Sequence, residues 1–251
     1  MPFTFSHPLF AVPMKVAAPR VFSLTGLILG SMSPDFEYFI HLEPYRSIGH
    51  TTAGLFLHAI PLSIICALIF HLIIKRPLVA HLPSWMDMDA RAKGLTESRD
   101  QDSIRRSFSF ILSVIIGFWT HIFVDAWTHH TGFFVEIIPT MHAIIVGLPL
   151  YKWLQYIFSL SGMAVQASLI VWYLYRVPLS RTAVRRSASQ KWSYWTIVAL
   201  IACITVAMKL FLTASTNTIG IIVVAPISGT LLGIAVASAW SLYRYSAWEG
   251  K

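Results

Sequence analysis

The sequence predicts an all-α protein: a polytopic helical membrane bundle with about five transmembrane helices and a short N-terminal helix that is kinked or half-spanning. Two compositional observations lead to this class. Of the 251 residues, 56% are hydrophobic and only 12% are charged, whereas soluble domains carry about 25% charged residues. The mean hydropathy is +0.65. This composition excludes a water-soluble enzyme, a disordered chain and a coiled coil.

The third observation is the length of the apolar stretches. A helix needs about 20 residues to cross the hydrocarbon core, and five stretches meet this length: residues 55–74, 108–127, 153–175, 194–213 and 218–243, the last interrupted by Pro226. Residues 16–32 contain Pro19 and Arg20, so we predict a short, kinked or half-spanning helix there. A cleaved signal peptide is the competing interpretation of that region, and its prolines disfavour it.

Lysine and arginine residues are concentrated in two connections, residues 75–107 and 176–193. Because cytoplasmic loops carry the excess of Lys and Arg, we expect both connections and the C-terminus in the cytoplasm. Residues 44–54 and 129–152 then face the other side. The net charge of +8 favours membrane lipid as the partner, and no nucleic acid is expected. We interpret residues 85–107 as a solvated loop.

Ionisable residues within a span are costly and usually face the bundle interior. His121 and Asp125 are four residues apart, so on a helix they share one face, and His129 extends that face if the helix continues. Two imidazoles and a carboxylate are suitable ligands for Zn²⁺ or a similar divalent ion. The alternative is an intrahelical hydrogen bond that only neutralises His121 and Asp125.

A second polar cluster is predicted on the same, extracytoplasmic side. Asp35 follows the short helix in a Ser-Pro turn, and His50 directly precedes the span at residues 55–74. A catalytic metal site takes several protein ligands and leaves a position open for water. We therefore expect Asp35, His50, His121 and Asp125 to meet around one cation.

Five motifs together resemble a bacterial family of membrane proteins defined only as a domain of unknown function. They are MPFTFSHP at 1–8, GSMSPDFEY at 30–38, HTTAG at 50–54, RPL at 76–78 and HIFVDAWTH at 121–129. The resemblance covers residues 1–160, which we interpret as a motif-bearing helical domain with a metal site. Residues 161–251 would be C-terminal transmembrane helices of the same bundle. For such a bacterial protein we expect a multi-pass position in the inner (cytoplasmic) membrane.

The pattern is also remotely similar to membrane-bound metal-dependent hydrolases, and to zinc-dependent phospholipase C and single-strand nucleases. The resemblance implies metal ligands in the chain order His7, Asp35, His50, His121, Asp125 and His129. A second His-x3-Asp/Glu motif, which completes the cluster of the soluble enzymes, does not occur after His142. We therefore expect one or two ions, most suitably Zn²⁺, and no three-zinc site.

The resulting hypothesis is a metal-dependent hydrolase acting on a lipid or lipid-linked phosphoester. Asp125 would bridge two ions, and Glu37 or Glu136 would act as general base. The alternative is a non-catalytic membrane scaffold or ion-binding protein whose polar residues hold helices together. A transporter ranks last, because the final two spans contain Lys209 as their only charged residue.

Overall fold

The computed structural model describes residues 3–96, 103–179 and 185–249. Within these residues, five helices are long and apolar enough to cross a membrane: Thr52–Ala80, Ser107–Ile137, Leu150–Arg176, Ala188–Leu212 and Thr218–Arg244. A shorter helix, Leu24–Met32, lies N-terminal to them. The predicted fold class, an all-α membrane protein with five spans and a short N-terminal helix, is confirmed.

The helices of the described chain are numbered in chain order. They are α1 (Pro8–Ala11), α2 (Pro13–Ala17), α3 (Leu24–Met32), α4 (Phe36–His41), α5 (Thr52–Ala80), α6 (Met88–Thr96), α7 (Ser103–Thr128), α8 (Phe133–Ile137), α9 (Leu150–Arg176), α10 (Ala188–Leu212) and α11 (Thr218–Glu249). Short 3-10 turns occupy Thr4–Ser6, Ser33–Asp35, Trp85–Asp87 and Pro139–His142. A two-residue antiparallel hairpin pairs β1 (Ile144–Ile145) with β2 (Leu148–Pro149).

The chain forms two compact units. The first contains the described residues 3–36, 47–64 and 103–171, and the second contains 37–46, 65–96, 172–179 and 185–249. Neither unit is one continuous stretch of chain. The predicted division at residue 160 stays a prediction.

In the first unit, α3 and α7 approach each other closely because glycine occupies the crossing. A Cβ at Gly30 would lie 2.4 Å from the carbonyl oxygen of Val114, and one at Gly117 would lie 2.7 Å from that of Leu27. Small residues at such positions let two membrane helices pack backbone to backbone. This contact places the C-terminal end of α3 beside the middle of α7.

The N-terminal segment folds back onto α9 within the first unit. The backbone N–H of Phe3 donates to Ser159 Oγ (3.0 Å), and Gln166 Nε2 donates to the carbonyl of Phe5 (2.8 Å). Proline begins both α1 and α2, as expected because the first position of a helix needs no N–H and suits the fixed φ of proline. These contacts fix the position of His7.

In the second unit, α10 and α11 are antiparallel neighbours. Tyr194 near the start of α10 contacts Ser238 near the end of α11, with 2.9 Å between the two hydroxyl oxygens. The other end of the unit holds an ion pair between Lys209 Nζ and Glu43 Oε1 (2.7 Å). Lys209, the single charge predicted within the last two spans, is therefore neutralised by a carboxylate.

Two sequence interpretations are wrong in detail. Part of the predicted loop at 85–107 is helical, since α6 occupies Met88–Thr96 with Asp89 buried and paired to Lys191 Nζ (2.6 Å). The ion pair allows a polar segment to pack. Residues 97–102 of that loop lie outside the described residues. Pro226 does not interrupt the last span, because α11 continues through it.

Candidate metal centre

Separate segments of the first unit each present a buried polar side chain to one place. Asp35 ends the 3-10 turn after α3, and His7 immediately precedes α1. His50 lies in the turn before α5, where Thr51 caps the helix by accepting from the N–H of Gly54 (3.0 Å). His121 and Asp125 lie one turn apart on α7. The fold thus gathers residues that are up to 118 positions apart in sequence.

Four ligand-type atoms define the centre. His50 Nε2 lies 3.4 Å from Asp35 Oδ1 and 3.5 Å from Asp125 Oδ2. His121 Nε2 lies 3.8 Å from Asp35 Oδ1 and 3.4 Å from Asp125 Oδ2. Zinc bonds of about 2.0–2.2 Å give a tetrahedron whose ligand atoms stand roughly 3.3–3.6 Å apart. The spacing is therefore that of a coordination shell for a small cation.

The second oxygen of Asp125 faces another pair of imidazoles. Asp125 Oδ1 lies 3.6 Å from His7 Nε2 and 3.4 Å from His129 Nδ1. The His7 ring also stacks on the His121 ring, with the centroids 3.7 Å apart. One oxygen of Asp125 thus faces His50 and His121, and the other faces His7 and His129. A carboxylate that bridges two ions needs this arrangement.

The hydrogen bond of His121 directs its Nε2 at the centre. The Nδ1–H of His121 donates to the carbonyl of Ser31 (2.7 Å), so its Nε2 directs either a second proton or a lone pair at two carboxylates. A lone pair facing carboxylate oxygens is repulsive without a positive charge between them. Metal-ligating histidines commonly donate their other N–H to a carbonyl in this way.

Burial and missing hydrogen bonds agree with this interpretation. His121 and Asp35 are fully buried, and His7 is 1% exposed. Neither ring nitrogen of His7, nor Nε2 of His121, hydrogen-bonds to any residue in the described part of the chain. Buried polar atoms are nearly always satisfied. The donor set fits a divalent ion, which two carboxylates would neutralise.

Among the cluster residues outside the spans, His7 and Asp35 have pKa values that leave them unprotonated, as metal ligands must be. Burial lowers the pKa of His7 to about 3, so its imidazole is neutral at physiological pH. Burial alone would raise the pKa of Asp35, but the neighbouring His121 and His50 outweigh it and lower that pKa. For His50, the effect of burial is outweighed by the neighbouring carboxylates of Asp125 and Asp35, which raise its pKa. A cation would therefore compete with a proton at His50.

The predicted site residues are not all placed alike. His7, Asp35 and His121 form one possible ligand triad, and His50, His121 and Asp125 form another. His129 follows the end of α7 and reaches Asp125 without joining either triad. Neither triad includes Glu37, which is buried and belongs to the second unit, or Glu136, which is exposed on α8. The ligand and general-base assignments stay predictions.

Sequence reasoning missed the residues that support these side chains. Thr4 Oγ1 donates to Asp35 Oδ2 (2.6 Å), and the carbonyl of Ser31 orients His121. A threonine in a short polar stretch has no distinctive pattern, and a backbone carbonyl has none at all. The Gly26-x3-Gly30 spacing was the one available signal, since it is typical of closely packed membrane helices.

The fold and the centre define an all-helical integral membrane protein with a buried His/Asp cluster assembled from its N-terminal segment and its α3, α5 and α7 region. Residues 1–239 match the model of one family, and the chain belongs to it: Domain of unknown function (DUF4184). The match extends well beyond the residues 1–160 that carried the resemblance in sequence. No curated protein and no solved structure matches the chain.

Proposed function

We propose that this protein is a membrane-embedded, divalent-metal-dependent hydrolase that acts on a phosphoester of a lipid or lipid-linked substrate. The metal is one or two ions, most suitably Zn²⁺, held by His7, Asp35, His50, His121 and Asp125. His129 is an outer ligand or a partner of Asp125. No named relative supports the hydrolase assignment, so it depends on the chemistry of the cluster.

The observation that carries the proposal is the set of four distances of 3.4–3.8 Å joining His50 and His121 to Asp35 and Asp125. A purely structural cluster would pair each imidazole N–H with one carboxylate at normal hydrogen-bond length. Here each imidazole nitrogen lies at a similar distance from both carboxylates. That symmetry is expected around a central cation.

A bound divalent ion would supply Lewis acidity and a water of lowered pKa, two properties that promote hydrolysis of a phosphoester. The residues of the chain supply the remaining functions. Asp35 and Asp125 provide the negative charge, and the Ser31 carbonyl holds His121 in the tautomer that leaves Nε2 available. Asp125, through its two oxygens, links the His50/His121 side to the His7/His129 side.

Access to the cluster favours approach past two of its histidines. The side chains of His50 and His129 are 12% and 16% exposed, whereas that of His7 is 1% exposed. His129 is therefore the imidazole best placed to exchange protons with solvent while contacting Asp125. Glu37 and Glu136 stay the candidate general bases, and neither belongs to a ligand triad.

Location favours a substrate at the bilayer surface. Asp125 lies in the last turn of α7, close to the end of the apolar stretch at residues 108–127. By the distribution of Lys and Arg, that end faces the extracytoplasmic side, with the C-terminus in the cytoplasm and the protein in a bacterial inner membrane. A phosphoester at headgroup depth would reach the cluster without leaving the membrane.

Metal content of the purified protein tests the proposal. We expect about one or two zinc atoms per chain by elemental analysis, and a loss of most of this metal in Asp125→Ala. Glu136→Gln is the matched control, because that exposed carboxylate belongs to neither triad. Equal metal in the wild type and in Asp125→Ala would refute the site.

Activity separates the hydrolase from the non-catalytic alternative. We expect reconstituted wild-type protein to hydrolyse a short-chain phospholipid or bis-p-nitrophenyl phosphate, and EDTA to abolish turnover until Zn²⁺ is restored. A scaffold predicts no turnover, a lower unfolding temperature in His121→Ala and no response to EDTA. If the purified protein retains its metal but hydrolyses neither substrate, the hydrolase hypothesis is rejected and a non-catalytic ion-binding protein remains.

A further inference from the structure

A separate pocket of about 320 Å³ lies entirely within the second unit, where α10 begins and α11 ends. Its walls come from the first turns of α10, the last described turns of α11 and the end of α5. The lining residues that matter below are Ser189, Gln190, Trp240, Ser241, Arg244 and His81. None of them belongs to the His/Asp cluster.

Two residues of α11 present unpaired polar groups to this pocket. Ser241 is 4% exposed, and its hydroxyl makes no hydrogen bond to the part of the chain that the structure describes. Arg244 pairs with no described carboxylate, and its guanidinium lies 5.2 Å from the centroid of the Trp240 ring. Ser241 and the exposed Arg244 therefore place a hydroxyl and a cation at the pocket, and both groups can bind an anion.

The facing wall is the N-terminus of a 25-residue helix. Ser187 caps α10 by accepting from the N–H of Gln190, and Gln190 Oε1 accepts from the N–H of Ser187. The amide group of Gln190 therefore keeps its N–H donors for another partner. The first turn of a helix also offers backbone N–H groups and the positive end of the helix dipole, which together favour phosphate.

The charged groups that act on His81 at this pocket are cationic. Burial lowers the pKa of His81, and the nearby positive charges of Arg186 and Lys191 lower it further. The Nδ1–H of His81 donates to the carbonyl of Pro77 (2.7 Å), which fixes the orientation of the ring. Lys191 is compensated by Asp89, which leaves Arg244 as the lining cation without a described counter-ion.

We infer that this pocket binds the phosphate group of an anionic lipid. Free inorganic phosphate has the same chemistry, but the position of the pocket favours a lipid. The pocket lies where two candidate spans, Ala188–Leu212 and Thr218–Arg244, end together. Trp192 and Trp240 are exposed at the same level, as in the aromatic belts found at headgroup depth.

Thermal unfolding of the purified full-length chain in a maltoside detergent tests this inference. The probes are dihexanoyl phosphatidylglycerol, dihexanoyl phosphatidylcholine and inorganic phosphate at matched ionic strength. We expect phosphatidylglycerol to raise the unfolding temperature saturably and the other two probes to have little effect. An equal shift with inorganic phosphate would overturn the lipid as source, and an equal shift with phosphatidylcholine would overturn anion recognition.

Two variants locate the binding. Arg244→Gln should weaken apparent phosphatidylglycerol affinity on the order of tenfold, because it removes a charged hydrogen-bond donor. The matched control is Arg176→Gln, since Arg176 lies over Trp172 in the same i, i+4 arrangement (4.3 Å) but does not line the pocket. Ser241→Ala is the second test variant and removes only one hydroxyl. Unchanged affinity in both pocket variants, or an equal loss in Arg176→Gln, would reject the site.

Discussion

Replacing Gly30 by alanine should separate α3 from α7 and thereby disable the metal centre. The added Cβ would lie 2.4 Å from the carbonyl oxygen of Val114, whereas ordinary contacts begin at 3.4 Å. The opposing atoms are backbone, so they cannot rotate away, and the two helices must move apart by about 1 Å. Such overpacking costs about 1–3 kcal/mol of folding free energy.

The same displacement acts on the ligand geometry. Asp35 follows α3 and His121 lies on α7, and their ligand atoms are already 3.8 Å apart. One further ångström exceeds the roughly 3.3–3.6 Å separation of atoms sharing a tetrahedral ion. We therefore expect metal affinity to fall by at least about tenfold, as it does when the support of a ligand is disturbed.

The assay is a competitive titration of metal-depleted protein with a zinc chelator, together with thermal unfolding. Gly147→Asn is the control, because a Cβ added at Gly147 would meet no atom within 4 Å. Gly147 has a positive φ of +79°, and asparagine tolerates that backbone conformation. It should leave metal affinity unchanged. Wild-type affinity and stability in Gly30→Ala would show that the α3–α7 contact does not set the site.

Three further predictions concern single contacts. Thr4→Val removes the hydrogen bond to Asp35 Oδ2 and should lower zinc affinity about 10–100-fold in the same titration, with Thr4→Ser restoring it. Lys209→Met leaves Glu43 without its ion-pair partner and should lower the free energy of unfolding by about 1–3 kcal/mol. Adding Glu43→Gln to this variant should recover part of the loss. A double variant no more stable than Lys209→Met would contradict the pairing. The pKa of His81 is lowered in the folded protein because the residue is buried. As the pH falls through 6.5, the ordinary pKa of histidine, the unfolded chain therefore binds a proton at this residue before the folded protein does. The free energy of unfolding should keep its full value above pH 6.5 and decrease below it. Thermal unfolding at pH 7.5 and 5.5 checks this, and an equal pH response in His81→Gln would reject the assignment.

Part of the site followed from local periodicity and part from topology. His121 and Asp125 share a helical face because residues four apart always do. Asp35 and His50 were expected beside them because the alternation of basic loops placed all four on one side. The structure brings those four together within one unit, whereas Glu136 lies exposed on α8 outside both triads.

Other features had no local signal. The polarity of residues 85–107 predicts a loop there. In the structure, Asp89 forms an ion pair with Lys191, about a hundred residues later in the chain, and this ion pair allows α6 to pack. The support of Asp35 by Thr4 likewise joins distant segments. Local patterns report a residue's own helix or strand, while a hydrogen bond between segments depends on how those segments are placed.

By itself, the sequence determined that the chain is a helical membrane protein, because a hydrocarbon core imposes span length and composition on every crossing segment independently of its neighbours. It also determined the spacing of His121 and Asp125. Only the tertiary structure decided that His7 reaches Asp125 and that each imidazole of the centre stands between two carboxylates. Those distances depend on the close approach of α3 to α7 and on the fold-back of the N-terminus, and both are set by packing between residues far apart in the chain.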